Sequence, residues 1–215
     1  MPIVYWPLML AGAYLLGAVP FAQIVASFKG VDLRKVGSGN VGAGNVTATI
    51  GKGWGTTAAI LDALKGFLPV YLARKVGLGP GAAGMVGLSA VIGHNWSLFM
   101  KGRSGRGLAT SAGTLLALDP LMLIWTTGWA VAGWKIGGGL GGFLGWGLLP
   151  VVAVALNRPP TESLFLALLA IVIVGRRMQG NHESSHDSQA MWRRAIFDTD
   201  DDGHLSDAVE DPIIP

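Results

Sequence analysis

Seven apolar segments separated by short polar stretches dominate this chain and limit its fold more than any other feature. They are Ile3–Phe28, Trp54–Ala73, Ala82–Met100, Gly107–Leu118, Pro120–Trp134, Gly137–Leu156 and Glu162–Gly175. A helix of about 20 apolar residues crosses the hydrocarbon core of a bilayer, and shorter helices are tolerated at that depth where neighbours cover them. The segments predict an all-α, polytopic membrane bundle of seven transmembrane helices, or of five or six if the short segments do not cross.

The amino-acid composition fits a protein that lies in a membrane. Of the 215 residues, 51% are hydrophobic and 13% are charged, whereas soluble domains carry about 25% charged residues. The chain has no cysteine, which excludes disulfides, thiolate chemistry and zinc–thiolate sites. We expect no cofactor and no nucleic-acid partner.

Basic residues are distributed unequally between the two ends of the predicted helices. With the N-terminus outside, twelve basic residues fall on the cytoplasmic side and three on the outer side. Basic residues favour the cytoplasmic side of membrane proteins. The distribution therefore predicts an outside N-terminus, a cytoplasmic C-terminus and a location in the bacterial plasma (inner) membrane.

A glycine-rich run, GSGNVGAGN at residues 37–45, lies between the first two long apolar segments. Glycine lets the backbone turn successive N–H groups toward one point, which makes an anion site. Serine and asparagine side chains add hydrogen-bonding groups. We interpret the run as a cytoplasmic phosphate cradle, with Asn45 orienting a substrate; a flexible linker is the alternative. The cradle residues are Gly37, Ser38, Gly39, Asn40 and Gly42.

A second cluster follows the third apolar segment, and the charge distribution puts it on the same face of the membrane. Arg103 and Arg106 carry planar guanidinium groups suited to phosphate, and Gly105 lets the backbone approach a ligand. His94 is a candidate hydrogen-bond donor or proton carrier, with a packed core histidine as the alternative. We predict that this cluster binds phosphate together with the glycine-rich run.

Asp62 and Lys65 place two charges inside an apolar segment. Residues three apart share one side of a helix. Charged residues within a span normally face the bundle interior and mark functional sites. The pair is therefore predicted to belong to the substrate-binding site.

The C-terminal residues form a separate compositional zone. Residues 182–215 carry two basic and nine acidic side chains, whereas residues 1–181 carry 14 basic and four acidic ones. This contrast predicts a membrane-embedded domain over residues 1–181 and a disordered acidic cytoplasmic tail over 182–215. Asp198, Asp200 and Asp202 match the start of an EF-hand-type calcium loop, but Val209 stands where the bidentate carboxylate belongs. Calcium binding is thus the weaker of the two interpretations of the tail.

Two stretches resemble the signatures of the bacterial PlsY acyltransferases. Residues 37–45 with Leu61–Gly66 resemble the first signature, and Gly93–Thr110 resembles the second. The resemblance covers residues 1–181. It implies a seven-helix membrane enzyme of phospholipid biosynthesis that moves an acyl chain from acyl phosphate to glycerol 3-phosphate. The partners would be those two substrates and the lipid bilayer.

The predicted chemistry requires no protein nucleophile. An acyl phosphate is already activated, so transfer depends on positioning the acceptor and on stabilising the charge that develops on the carbonyl oxygen and the phosphate. Ser38, Asn45 and His94 are the predicted catalytic residues, and the glycines, Asn40, Asp62, Lys65 and the two arginines are predicted to bind substrate.

The chain departs from the family pattern at positions expected to hold the acceptor. Ala48 stands where the family usually has an arginine, and the third signature survives only as Arg176–Gly180. These departures leave open a divergent enzyme, an enzyme with a changed acceptor and an inactive membrane relative. A transporter of small anions is a separate alternative, because it would also need glycine-broken helices and basic residues near its inner mouth.

The charge distribution generates a topology test. A reporter fused after Lys35 or Lys101 should report a cytoplasmic location, and one fused after Lys75 an external location, because basic residues are retained inside. Labelling of the glycine-rich run from outside intact cells would contradict both the orientation and the cytoplasmic site.

Overall fold

All regular elements that the structure describes are helices. The computed structural model describes residues 5–102, 104–136, 139–179 and 191. Its α-helices are α1 (Tyr5–Ala18), α2 (Phe21–Ser27), α3 (Ala43–Thr49), α4 (Lys52–Lys75), α5 (Pro80–Asn95), α6 (Leu108–Leu118), α7 (Pro120–Ile136), α8 (Gly139–Gly147), α9 (Leu149–Ala155) and α10 (Pro160–Gln179). Single turns of 3-10 helix lie at Leu33–Lys35 and Leu98–Met100. The all-α expectation is confirmed for these ranges.

Several predicted features lie outside the described residues. They are Arg103, the candidate calcium ligands Asp198, Asp200 and Asp202, and, apart from Met191, the acidic tail.

Each predicted apolar segment contains one helix or a consecutive pair. The first segment is divided at Val19 and Pro20 into α1 and α2, because proline has no N–H to continue the helical hydrogen bonds. By length and composition, Tyr5–Ser27 and α4 can each cross a membrane, whereas α6 has only 11 residues. The number of spans and their orientation stay predictions.

The end of the glycine-rich run is helical, which the sequence interpretation missed. Gly42 has an extended backbone and precedes the first residue of α3. Asn45 therefore lies on a helix, and its side chain points back toward the preceding loop, where it donates to the Val36 carbonyl. A helix gives this side chain a more fixed position than a linker would.

Close crossings between helices depend on glycine. A Cβ atom at Gly66 of α4 would lie 2.0 Å from the Thr110 carbonyl oxygen of α6, and one at Gly113 of α6 would lie 1.9 Å from the Ala63 carbonyl oxygen of α4. Small residues let helix backbones approach in this way in membrane proteins. The crossing holds the middle of α4, with its charged residues, against α6.

An ion pair joins two helix connections at the opposite end of the bundle from the glycine-rich run. Arg158, between α9 and α10, approaches Asp119, between α6 and α7, with a distance of 2.8 Å from Nε to Oδ2. Asp119 also accepts a hydrogen bond from the Leu121 N–H at the start of α7. These contacts hold α10 beside the apolar core that α5 to α9 share with it.

The α4–α6 crossing predicts a stability difference between glycines. Gly66→Ala and Gly113→Ala should each lower the free energy of unfolding by about 1–3 kcal/mol, since the added methyl overlaps backbone that cannot move away. Gly128→Ala on α7 is the matched control, because a Cβ there meets nothing within 4 Å. Thermal unfolding in detergent measures the effect, and equal melting temperatures for all three variants would contradict the close crossing.

Candidate active site

Asn45 organises the loop that precedes α3. Its side-chain Nδ2 donates to the carbonyl oxygens of Leu33, Val36 and Asn40 at 3.0, 3.0 and 3.1 Å, and its Oδ1 accepts from the Ser38 N–H at 3.3 Å. The side chain is buried. Asn45 therefore ties both ends of the loop together, while its predicted direct contact with a substrate stays a prediction.

The glycines of the run allow this compact loop. Gly37 and Gly39 have φ angles of +56° and +66°, a region that favours glycine. A Cβ at Gly37 would lie 2.2 Å from Asn45 Oδ1. The N–H groups of Ser38 and Gly39 donate within the loop, to Asn45 Oδ1 and to the Val36 carbonyl. These two N–H groups thus stabilise the loop itself. An anion that binds to the loop would have to contact other polar groups.

Asn40 is one such group. It is 8% exposed, and its Oδ1 has no hydrogen-bond partner among the residues that the structure describes. Gly42 makes room for it, because a Cβ at Gly42 would lie 2.8 Å from Asn40 Nδ2. A buried polar atom of this kind favours a ligand or water partner.

A buried charged cluster lies on the neighbouring helices. Lys65 Nζ is 2.9 Å from Asp62 Oδ1 and donates to the Val19 carbonyl oxygen at 2.8 Å. His94 of α5 brings its Nδ1 to 3.7 Å from the same Asp62 oxygen. All three charged or titratable side chains are almost fully buried, with exposures of 4% or less. The Asp62 carboxylate thus lies on the Nδ1 side of the His94 ring, although His94 Nδ1 makes no hydrogen bond among the described residues.

Gly105 connects the buried charged cluster with the two loops predicted to bind phosphate. These loops are the glycine-rich run and the stretch that follows the third apolar segment. A Cβ at Gly105 would lie 2.0 Å from His94 Nε2 and 2.8 Å from the Val41 carbonyl oxygen of the glycine-rich run. The structure thus brings the two predicted loops together at His94. The sequence does not predict this contact, because Gly105 is one of several glycines in a polar stretch.

Three arginines lie close to the segment that contains Gly105. Arg106 is half-buried and lines a small pocket with Arg177 and Trp146, between α6, α8 and α10. Arg176 donates from Nη2 to the Ser104 carbonyl oxygen at 2.9 Å. This hydrogen bond attaches α10 to the loop that contains Ser104. The feature of the sequence that could have indicated the contact is the pair of arginines, Arg176 and Arg177, in the last turn of α10.

Arg34, which precedes the glycine-rich run, forms an ion pair with Asp32, two residues earlier in the chain. It makes two hydrogen bonds to Asp32, at 2.9 Å from Nε and 2.8 Å from Nη2. This contact lowers the pKa of the Asp32 carboxyl. The Arg34 guanidinium is therefore paired with Asp32 and not directed at the glycine-rich run.

Known proteins are similar to this chain in sequence and in fold. A family model described as glycerol-3-phosphate acyltransferase matches residues 7–185. A glycerol-3-phosphate acyltransferase of Thermus thermophilus is 43% identical over 178 residues, covering 78% of this chain and 84% of its own. Glycerol-3-phosphate acyltransferase 1 of Deinococcus radiodurans is 42% identical over 172 residues, covering 75% of this chain and 83% of its own.

Two solved structures are similar to this chain over most of its length. The glycerol 3-phosphate form of PlsY, an integral membrane glycerol 3-phosphate acyltransferase, has a TM-score of 0.75 and 32% identity, covering 81% of this chain and 88% of its own. The lysophosphatidic acid form has a TM-score of 0.73 and 30% identity over the same shares. The helical fold is therefore that of a class of integral membrane acyltransferases. The chain belongs to the glycerol-3-phosphate acyltransferase family.

The buried cluster predicts an asymmetric effect on stability. Lys65→Met should lower the free energy of unfolding by about 3–5 kcal/mol, because it leaves the buried Asp62 carboxylate unpaired. The double variant Asp62→Leu with Lys65→Met should recover most of this loss, since no unpaired charge remains.

Lys52→Met is the matched control, because Lys52 lies exposed at the start of the same helix. Thermal unfolding of the purified variants is the measurement. A double variant less stable than Lys65→Met would show that the pair stabilises the fold by more than mutual neutralisation.

Proposed function

We propose that this chain transfers an acyl group from acyl phosphate to the 1-hydroxyl of glycerol 3-phosphate, giving lysophosphatidate and inorganic phosphate. The observation that carries the proposal is the contact of Gly105 with both His94 and the Val41 carbonyl, in a chain that belongs to this acyltransferase family. That contact brings the two loops predicted to bind phosphate to one buried histidine. The names of the relatives and the two ligand forms of PlsY support the acceptor and the product.

The reaction balances without a covalent enzyme intermediate. The acceptor oxygen forms a bond to the carbonyl carbon, the bond from that carbon to the phosphate oxygen breaks, and the hydroxyl proton leaves. Phosphate can take the proton as it departs, or His94 can carry it. Fixed hydrogen-bond donors that face the developing negative charge are often the largest catalytic contribution.

We assign the ligand contacts to the polar groups around His94. Ser38 is half-buried in the glycine-rich run, beside the buried Asn40, and both can contact an acceptor phosphate. Arg106 can hold a second anionic group from the other side of the site, with Arg103 as its predicted companion. His94 lies between the two loops, where it can donate to the reacting oxygen.

The remaining predicted residues act indirectly in this proposal. Gly37, Gly39 and Gly42 shape the loop, and Asn45 holds it. Asp62 and Lys65 are too enclosed for substrate contact, with exposures of 1% and 2%. They are positioning residues that keep the His94 ring in place.

We also propose seven membrane spans with the site facing the cytoplasm of a bacterial inner membrane. The support is the agreement between the seven apolar segments and the helices, together with the excess of basic residues at one end of them. Both loops of the site fall at that basic end.

A changed acceptor is the second candidate, and Ala48 favours it. Ala48 is exposed on α3, at the position where the resemblance expects an arginine. A lost charged contact to phosphate costs about 1.5–3 kcal/mol. Other phosphorylated alcohols therefore belong in the assay beside glycerol 3-phosphate.

The proposal is tested by acyl transfer with purified protein. Acyl phosphate should serve as the donor and an acyl-carrier thioester should not, because the site is built around an anionic leaving group. Transfer from the thioester alone, or to another acceptor alone, would contradict the proposed reaction.

Gly105 supplies a variant for the same assay. Gly105→Ala should lower kcat by at least about 100-fold, the cost of one misplaced catalytic donor, because the added methyl displaces the His94 ring. Gly44→Ala is the matched control, since a Cβ there meets nothing within 4 Å. A Gly105→Ala enzyme with the kcat of the wild type would contradict the proposed role of His94 in the reaction.

A further inference from the structure

The loop between α5 and α6 begins with a buried serine that reaches another helix. Ser97 is fully buried, and its hydroxyl donates to the carbonyl oxygen of Ala18, the last residue of α1. Carbonyl groups at the end of a helix lack donors from a following turn, so they need partners from elsewhere. Ser97 is such a partner, and it joins the start of the α5–α6 loop to the end of α1.

The close crossing of α1 and α5 brings this hydroxyl within reach of Ala18. A Cβ atom at Gly93 of α5 would lie 2.2 Å from the Tyr14 carbonyl oxygen of α1, so the two backbones approach closely there. The Tyr14 hydroxyl donates to the Trp96 carbonyl oxygen at 3.0 Å. These contacts place the end of α5 against the end of α1.

The backbone of Ser97 also shapes the loop that follows it. Its carbonyl oxygen accepts hydrogen bonds from the N–H groups of Met100 and Gly102, at 3.1 and 2.9 Å. These two bonds close a tight turn, and from this turn the chain continues to Gly105, which packs against His94 Nε2. A displacement of Ser97 would therefore move the part of the loop that contacts His94.

Two adjacent carbonyl groups at the break between α1 and α2 hold two parts of the candidate site. The Ala18 carbonyl accepts from Ser97 of the α5–α6 loop, and the Val19 carbonyl accepts from Lys65 of the buried charged cluster. The cluster and the loop both lie beside His94. The break therefore sets the position of the loop relative to the cluster.

We propose that Ser97 is a positioning residue for acyl transfer, which fixes the α5–α6 loop, and with it Arg106, relative to His94. The inference rests on the proposed function, in which Arg106 holds an anionic group of the donor. Ser97 is enclosed and acts through the loop, without contact to either substrate. Loss of its hydroxyl lets this loop shift, whereas the glycine-rich run stays in place because Asn45 holds it.

The kinetic constants for the two substrates separate positioning from a general loss of stability. In purified Ser97→Ala, kcat should fall at least about tenfold, because a displacement of about 1 Å can cost about 100-fold in rate. The KM for acyl phosphate should rise, and the KM for glycerol 3-phosphate should stay as in wild type.

A pair of larger variants tests the hydroxyl itself. Ser97→Thr and Ser97→Val have nearly the same shape, but only threonine keeps the hydroxyl, so kcat should be higher in the threonine variant. Ser97→Ala adds no bulk and decides the question if these larger side chains do not fit the buried position.

Ser89→Ala is the matched control. Ser89 also lies on α5, and its hydroxyl also donates to a carbonyl oxygen of α1, that of Leu10, at 2.8 Å. It lies eight residues before Ser97 and outside the loop, so its loss should lower the melting temperature but leave kcat and both KM values as in wild type.

Two results would overturn Ser97 as a positioning residue and leave the proposed function standing. They are an active wild type whose kcat is unchanged in Ser97→Ala, and an equal loss of kcat in Ser97→Ala and Ser89→Ala. A wild type that transfers no acyl group would overturn both the positioning role and the proposed function.

Discussion

The arrangement of this site depends on the two interactions that the buried ammonium group of Lys65 makes. It joins α4 to the break between α1 and α2 through the Val19 carbonyl, and it pairs with Asp62 one turn earlier on its own helix. A charge this deeply buried is tolerated only when partners surround it. The hydrogen bond to Val19 therefore fixes how α4 meets the end of α1, while the ion pair within α4 neutralises the buried charge.

Asp62, the partner of Lys65, also lies beside the candidate site residue His94. Asp62 faces His94 across the α4–α5 boundary, and Gly105 closes on the opposite edge of the ring. The ring therefore lies between a carboxylate and a stretch of backbone. Such a setting suits a reaction that needs a fixed donor more than a nucleophile, because preorganised groups do not have to reorient as charge develops.

Much of the fold followed from the sequence, because apolar segments in a membrane form helices to satisfy their backbone. The break at Pro20 and the helical turn that carries Asn45 were missed, since both depend on local backbone detail inside segments that look uniform. The sequence also identified His94, Asp62 and the two loops as candidates. It could not show that the Asn45 side chain donates its hydrogen bonds to loop carbonyl oxygens, or that Gly105 packs against the His94 ring. Those contacts arise only when the folded chain brings these segments together.

The central claim is that the acceptor binds at His94, and nitrogen NMR of histidine-labelled protein tests it most directly. The chain has four histidines, and the signal that disappears in His94→Gln assigns the one of interest. Titration with glycerol 3-phosphate should shift the His94 Nε2 signal and leave the other three unchanged. A His94 signal that does not move under conditions in which the enzyme turns over would contradict the account.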